Sequence, residues 1–267
     1  MLKKVRLKFM DGINQNRMRM QCPPFKFETI SADEQKGLLP PSYQIERTKA
    51  FITLPPFANL ISGQSYMELL DNRRSERVYT QTSIAAEQLA FLLWSASGIQ
   101  YYRGRTKNFT FRPVPSAGAR HPFEIYAAIR KVDGLEPGLY HYTPTKHVGE
   151  KRVTIEYLGP FDNYEARMTE MLMGQKWATK ASVVLFVSCI PYRAEWRYSE
   201  GAYRMMLIDL GHIGQNLMLS ATALGLGSCP LAAYDQKLCD ETFSFNGIDE
   251  YTVYAVSVGN LKTKSIE

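Results

Sequence analysis

The stretch E-G-A-Y-R-M-M-L-I-D-L-G-H-I-G-Q-N-L-M-L-S-A-T-A-L-G-L-G, residues 200–227, decides the architecture. Met206, Leu210, Ile213, Leu217, Ala221 and Leu224 recur at the three-to-four-residue spacing that aligns one stripe along a helix. At a rise of about 1.5 Å per residue this helix is roughly 35 Å long, the span of a small domain. Leu207, Ile208, Met218 and Leu219 carry the apolar surface most of the way round, which predicts a helix enclosed by the fold or by a dimer interface. Gly211 and Gly214 are expected to leave a bare patch where another helix approaches closely. In G-L-G-S-C-P (225–230), Gly225 suits a left-handed cap and Pro230 stops the helix. Two glycines, a serine and a proline exceed what a stop requires, and predict backbone shaped to approach a ligand.

Working outward, A-S-V-V-L-F-V-S-C-I (181–190) is apolar on both faces, as in a central strand covered on each side. P-Y-R-A-E-W-R-Y-S-E (191–200) reads as a connection crowded with Arg193, Trp196, Arg197 and Tyr198, and such connections often carry function. Further strands are predicted at 123–129, 138–142, 153–157 and 251–259. Helices are predicted within 65–77, at 84–97 before Gly98, and at about 163–175. Strands and helices interspersed without regular β-α alternation predict an α+β fold. Residues 1–60, broken by P-P at 23–24, 40–41 and 55–56, read as an arm laid over a body at 61–267. Phe25, Phe27, Tyr43, Ile45, Phe51 and Ile52 need that cover.

The 267-residue chain is long enough to bury a sizeable core. Its 45% apolar and 22% charged residues describe an ordinary globular protein. A net charge of +6 suits an anionic ligand without singling out nucleic acid. Cys22, Cys189, Cys229 and Cys239 lack paired spacing, which speaks against structural zinc and a disulfide scaffold and fits a reducing compartment. The basic start has no apolar run fit for a signal peptide, and the longest such run is half a membrane span. A cytoplasmic protein is expected.

Two turns are chemically loaded. Arg73, Arg74 and Arg77 surround Ser75 in R-R-S-E-R (73–77), and guanidinium forks match phosphate oxygens. Taken alone, this is also what a solvated basic helix end looks like. In R-P-V-P-S-A-G-A-R-H-P-F-E (112–124), prolines stiffen a turn whose Ser116, Ala117, Gly118 and Ala119 keep bulk away, so backbone donors reach a flat ligand. His121 is read first as a buried hydrogen-bonding residue, and His141 and His147 as structural or exposed. Residues 101–112 interleave basic and aromatic side chains, a footprint of single-stranded nucleic-acid binding. Without a recognised module around it, an exposed hairpin or substrate-facing loop is the better reading. The glycines at 225–227 end a helix rather than open one, and no G-x-x-x-x-G-K-[ST] occurs, which excludes Rossmann and P-loop sites.

Taken in order, R-R-S-E-R (73–77), P-S-A-G-A-R-H-P-F-E (115–124), G-L-Y-H-Y (138–142), W-R-Y-S-E-G-A-Y-R (196–204) and L-G-H-I-G-Q-N-L with A-L-G-L-G-S (210–228) resemble the nitroreductase-like flavoproteins, and more closely their SagB-type dehydrogenase branch. The resemblance covers roughly residues 66–260. It implies a mixed central sheet flanked by helices, the long helix central to a homodimer, and FMN at two sites on the subunit boundary. By the same resemblance Arg73, Arg74 and Ser75 meet the phosphate and ribityl chain, assisted by Arg77. Pro115, Ser116, Ala117 and Gly118 lie against the isoalloxazine, and Gly225, Leu226 and Gly227 lie near its reactive edge.

That branch is similar to oxidases that turn thiazolines or oxazolines of modified peptides into azoles, with oxygen restoring the flavin. A Lys-Tyr pair serves proton removal there, and the matching pair here is Arg197-Tyr198. Arginine cannot be the base, which leaves Tyr198 with Arg197 stabilising its phenolate. The last strand ends V-G-N, where related flavoproteins often place an arginine. The implied partners are a modified-peptide or small heterocyclic substrate and a cyclodehydratase or carrier, with neither nucleic acid nor membrane. Two other readings stand beside this one: an NAD(P)H-dependent nitro- or quinone reductase, and a flavin-free peptide-binding scaffold subunit.

Overall fold

The apolar run at 181–190 lies at the middle of the molecule. The computed structural model describes residues 12–18, 32–61, 63–104 and 109–262; Cys22, Phe25, Phe27 and the first Pro-Pro pair lie outside them. The described strands are β1 (Phe51–Thr53), β2 (Tyr101–Arg103), β3 (Phe109–Phe111), β4 (Phe123–Ile129), β5 (Gly138–Tyr142), β6 (Thr154–Gly159), β7 (Val183–Cys189), β8 (Leu226–Leu231) and β9 (Tyr251–Asn260). Seven form one sheet in the order β1-β6-β5-β4-β7-β9-β8, and β2-β3 is a separate hairpin. The ladders are antiparallel, and among the described residues parallel pairing is confined to the isolated bridges Ser75–Ser228 and Ile84–Val132.

Alternation along β7 explains the layers. Val183, Leu185, Val187 and Cys189 face one core cluster and Val184 and Phe186 the other. The first cluster lies under helices α3 (Ala86–Ser97) and α6 (Ala202–Ala223), the second under α4 (Tyr164–Met171) and α7 (Gln236–Phe243). A strand covered on both faces needs apolar residues at every position, which is why 181–190 shows no alternation. The fold is α+β, helices on both sides of a central sheet, as expected.

Of the expected stripe, helix α6 buries Met206, Ile213, Leu217 and Ala221 and half-buries Leu210, and it ends at a half-buried Leu224 and a left-handed Gly225 (φ 69°). Its other face, with Tyr203, Leu207 and Ile208, is exposed in the single chain. Gly214 does not receive a helix: a Cβ there would meet the Tyr254 ring of β9 at 2.6 Å. Gly211 is open.

Three segments differ from expectation. Residues 191–200 form helix α5 (Tyr192–Tyr198) and a short 3-10 turn, because Pro191 can open a helix whereas it would break an interior. G-L-G-S-C-P continues as edge strand β8, where Pro230 is tolerated. Helix α7 was not foreseen, although Asp235 caps it by accepting from the Leu238 N–H at 3.0 Å.

Among residues 32–60, β1 pairs with β6, and a short helix α1 (Ala32–Gln35) lies against α5. The Tyr43 hydroxyl donates to the Ala119 carbonyl at 2.6 Å, and Arg193 donates to the Ser42 carbonyl at 3.1 Å. Backbone N–H groups of Arg47 and Thr48 cap the buried Glu156 carboxylate at 2.9–3.1 Å. Glu156 also accepts from His141 at 2.7 Å, and Glu124 lies 3.2 Å from the other His141 nitrogen. His141 is therefore structural, with acidic partners that come from other strands and that sequence spacing does not reveal.

Candidate active site

Three prolines and four small residues fold 112–122 into a tight turn whose backbone takes left-handed values at Gly118 (φ 57°), Ala119 (φ 52°) and His121 (φ 42°). Two non-glycine residues in this region store strain that surrounding contacts must hold. The holder is Asp209, on the buried face of α6. Its carboxylate accepts from Ser116 Oγ at 2.5 Å and from the Ala117 N–H at 3.2 Å. Ser116 Oγ in turn accepts from the His121 N–H at 2.9 Å. Burial pushes the Asp209 carboxyl up against the opposing pull of those two donors. His121 is buried, its Nε2 donating to the Thr110 carbonyl at 3.0 Å; burial and the neighbouring guanidiniums hold it well below its usual range. It is a neutral structural residue.

Helix α5 brings Arg197 and Tyr198 onto the same turn. A Cβ at Gly118 would lie 2.6 Å from Tyr198 Oη and 2.9 Å from Arg197 Cδ, so only glycine fits. The Arg197 guanidinium stacks 5.8 Å over the Tyr198 ring and donates from Nη1 to Glu34 at 2.7 Å. Beside this contact opens a cleft of about 430 Å³, lined by Arg103, Phe109, Phe111, Gly118, Ala119 and Arg197. That volume falls in the range of ligand sites.

The other loaded turn follows α2 (Tyr66–Asn72), whose capping box pairs Ser65 with Glu68. Ser75 bridges to Ser228, and the Glu76 N–H donates to the Ser228 carbonyl at 2.9 Å. This stitches 73–76 to the 225–228 segment. Gly227 is packed there: its Cβ would meet Leu261 at 2.4 Å and Glu76 at 3.1 Å. Gly225 has open space in front of it. Arg74 donates to the Arg73 carbonyl at 2.8 Å. Neither Arg73 nor Arg74 has a carboxylate partner among the described residues. Arg77 instead stacks 5.5 Å over Trp177, and Asn260, where an arginine is common, is tied to Thr82 and Ser83.

The candidate residues thus form two half-sites in one chain: 73–75 with 225–227, and 115–118 with 197–198. They sit toward opposite ends of α6. Fifteen residues separate Asp209 from Leu224, about 22 Å at about 1.5 Å per residue.

The profile of the nitroreductase family matches residues 70–260. The chain belongs to the nitroreductase family. One nitroreductase relative is the putative nitroreductase MJ1384 of Methanocaldococcus jannaschii, 32% identical over 192 residues, 72% of this chain and 89% of that protein. A second is the trifolitoxin-processing protein TfxB of Rhizobium leguminosarum bv. trifolii, 32% identical over 149 residues, 55% of this chain and 39% of that protein. The fold is also that of a chain in the E. coli microcin synthetase McbBCD complex with truncated pro-MccB17 bound, with a TM-score of 0.56, 20% identity and 77% of each chain covered.

Nitroreductase-family proteins bind flavin, and the residues here fit FMN. Two guanidiniums without carboxylate partners among the described residues stand beside a serine, and an open left-handed glycine follows the same seam. Among the described residues no group of His, Cys, Asp and Glu is placed to hold a metal, and no helix is long and apolar enough to cross a membrane.

Sequence reasoning missed Asp209 and Glu34. Asp209 was detectable: L-I-D-L places an acid three residues after Met206 and four before Ile213, on the buried stripe. Glu34 carried no signal, because its contact with Arg197 spans 163 residues.

Proposed function

We propose that this chain is an FMN-dependent oxidoreductase of SagB type, which oxidises a thiazoline, oxazoline or similar heterocycle to the azole in peptide natural-product biosynthesis. The observation that carries this reading is the contact between Tyr198 Oη and the Gly118 turn, with Arg197 stacked on the tyrosine. It joins the turn matched to the isoalloxazine and the pair matched to proton removal. Arg73, Arg74 and Ser75 would hold the FMN phosphate and ribityl chain, and the 225–227 backbone would approach its reactive edge. When bound, FMN supplies a hydride acceptor that oxygen restores. Tyr198 Oη is the group assigned to take the acidic ring proton; the Arg197 guanidinium lies over its ring and cannot itself serve as base. Asp209 keeps the Ser116–Ala117 backbone in place throughout.

Two half-sites about 22 Å apart along α6 do not surround one flavin within a chain, so the reading calls for a homodimer in which each site draws one half from each copy. The exposed Tyr203, Leu207 and Ile208 of α6 offer an apolar face, and α2, which also contacts α6, exposes Tyr66, Met67 and Leu70. The relationship to TfxB supports a place in peptide maturation, with a cyclodehydratase or carrier supplying the heterocycle.

A purified, yellow protein that dehydrogenates an azoline peptide aerobically, read by product mass, is the expected result. The relationship to MJ1384 favours a second reading, NAD(P)H-dependent reduction of a nitro compound or quinone. Rapid anaerobic bleaching by NADH, without azoline turnover, would favour it. A folded preparation that stays colourless after incubation with FMN and removal of the free flavin would sink both and leave the scaffold reading.

A further inference from the structure

The β2–β3 hairpin belongs to neither half-site, yet it walls the cleft beside Tyr198. Thr110 turns inward: its carbonyl accepts from His121 Nε2 at 3.0 Å and its Oγ1 from Arg112 Nε at 3.1 Å. By the period of two, Phe109 and Phe111 turn the opposite way, and both line the cleft. Tyr101 stacks on Phe111 with centroids 4.6 Å apart, and the Arg120 guanidinium lies 5.2 Å over Phe109, so both rings are held in place. Gly118 and Ala119 supply another wall with almost no side-chain bulk. The space between is suited to something flat.

Its charge is cationic. Arg103 is exposed and has no ion-pair partner among the described residues. Arg197 engages Glu34 through Nη1, while its Nε and Nη2 bond to no described residue. A guanidinium fork matches the two oxygens of a carboxylate, and both arginines line the cleft.

We propose that this cleft is the substrate subsite and takes a flat five-membered azoline ring bearing a carboxylate, and the azole formed from it, with the ring against Phe109 and Phe111 and the carboxylate held by Arg103 and Arg197. The proposal rests on the reading above in its choice of ring and in directing that ring towards Tyr198; binding itself is measured without turnover.

The test is calorimetric titration of the full-length protein with 2-phenylthiazole-4-carboxylate and with its neutral primary amide, recording the flavin absorbance of each sample. The carboxylate is expected to bind about tenfold or more tightly than the amide, as loss of a charge-assisted bond implies. Arg103→Gln, on the surface and so without consequence for folding, is expected to weaken the carboxylate by a similar factor of about ten while leaving the amide unchanged. Phe109→Leu is expected to weaken both. Equal affinity for acid and amide, no binding of either, or an Arg103→Gln protein that binds like the parent would overturn the proposal. Absent flavin colour with carboxylate binding intact would instead count against the FMN reading.

Discussion

Arg74 shows how one side chain tests the cofactor assignment. Its guanidinium meets the Arg73 carbonyl and has no carboxylate partner among the described residues, so an anion is its natural counterpart. Arg74→Ala is expected to weaken FMN by roughly tenfold or more, the scale of a charge-assisted hydrogen bond; FMN retention on dialysis equal to that of the parent would refute the assignment. Tyr198→Phe keeps the ring and removes the hydroxyl. Turnover should fall about a hundredfold or more with flavin still bound, as loss of a general base implies, and unchanged turnover would remove Tyr198 from the mechanism. Buried Glu124 tests stability. Burial would raise its carboxyl, but Arg193 and His141 outweigh it and bring it from 4.5 to about 2. A depressed acid contributes stability above its unfolded value and loses it as pH falls, here between 4.5 and about 2. His141 runs the other way: burial lowers it, yet the hydrogen bonds it makes to Glu124 and Glu156 raise it above 6.5. Its contribution is complete below 6.5 and fades as pH climbs through the raised value. Glu124→Gln is expected to cost roughly 3–5 kcal/mol at neutral pH and to flatten the acid loss; urea unfolding at pH 7 and pH 3 that tracks the parent would contradict this.

At the scale of elements, the 112–122 turn depends on α5 and α6 together. Gly118→Ala adds a methyl where Tyr198 Oη already stands, at a left-handed position. Stability should drop by roughly 1–3 kcal/mol, whereas turnover should fall on the order of a hundredfold, because small misplacements of reacting groups are costly. Equal, small losses in both would mean that the turn does not position Tyr198. The same elements show the reach of sequence reasoning. β7 was legible because a strand covered on both faces carries a long apolar run, and β4 and β5 because aromatic residues recur in short segments bounded by proline and glycine. Helix α5 was not, since a seven-residue helix rich in aromatic and charged side chains has little periodicity to show, and it forms because α1 and α6 pack against it.

For the whole molecule, α6 separates two half-sites and exposes Leu207 and Ile208. Ile208→Lys should shift a dimer towards monomer in sedimentation velocity and lower bound flavin in parallel. A monomeric variant that retains FMN fully would show that one chain suffices. Flavin loss without dissociation would point to damage within the chain.

From the sequence alone came the α+β class, the central strand, the long helix and the five stretches that carry the family resemblance, because periodicity and local turn chemistry are properties of neighbouring residues. Only the tertiary structure decided that R-R-S is sewn to Ser228, that Asp209 holds the Ser116 turn, that Glu34 meets Arg197, and that the half-sites stand at opposite ends of α6. Those pairings join residues far apart in the chain, and only packing against a shared helix and sheet brings them within reach of one another.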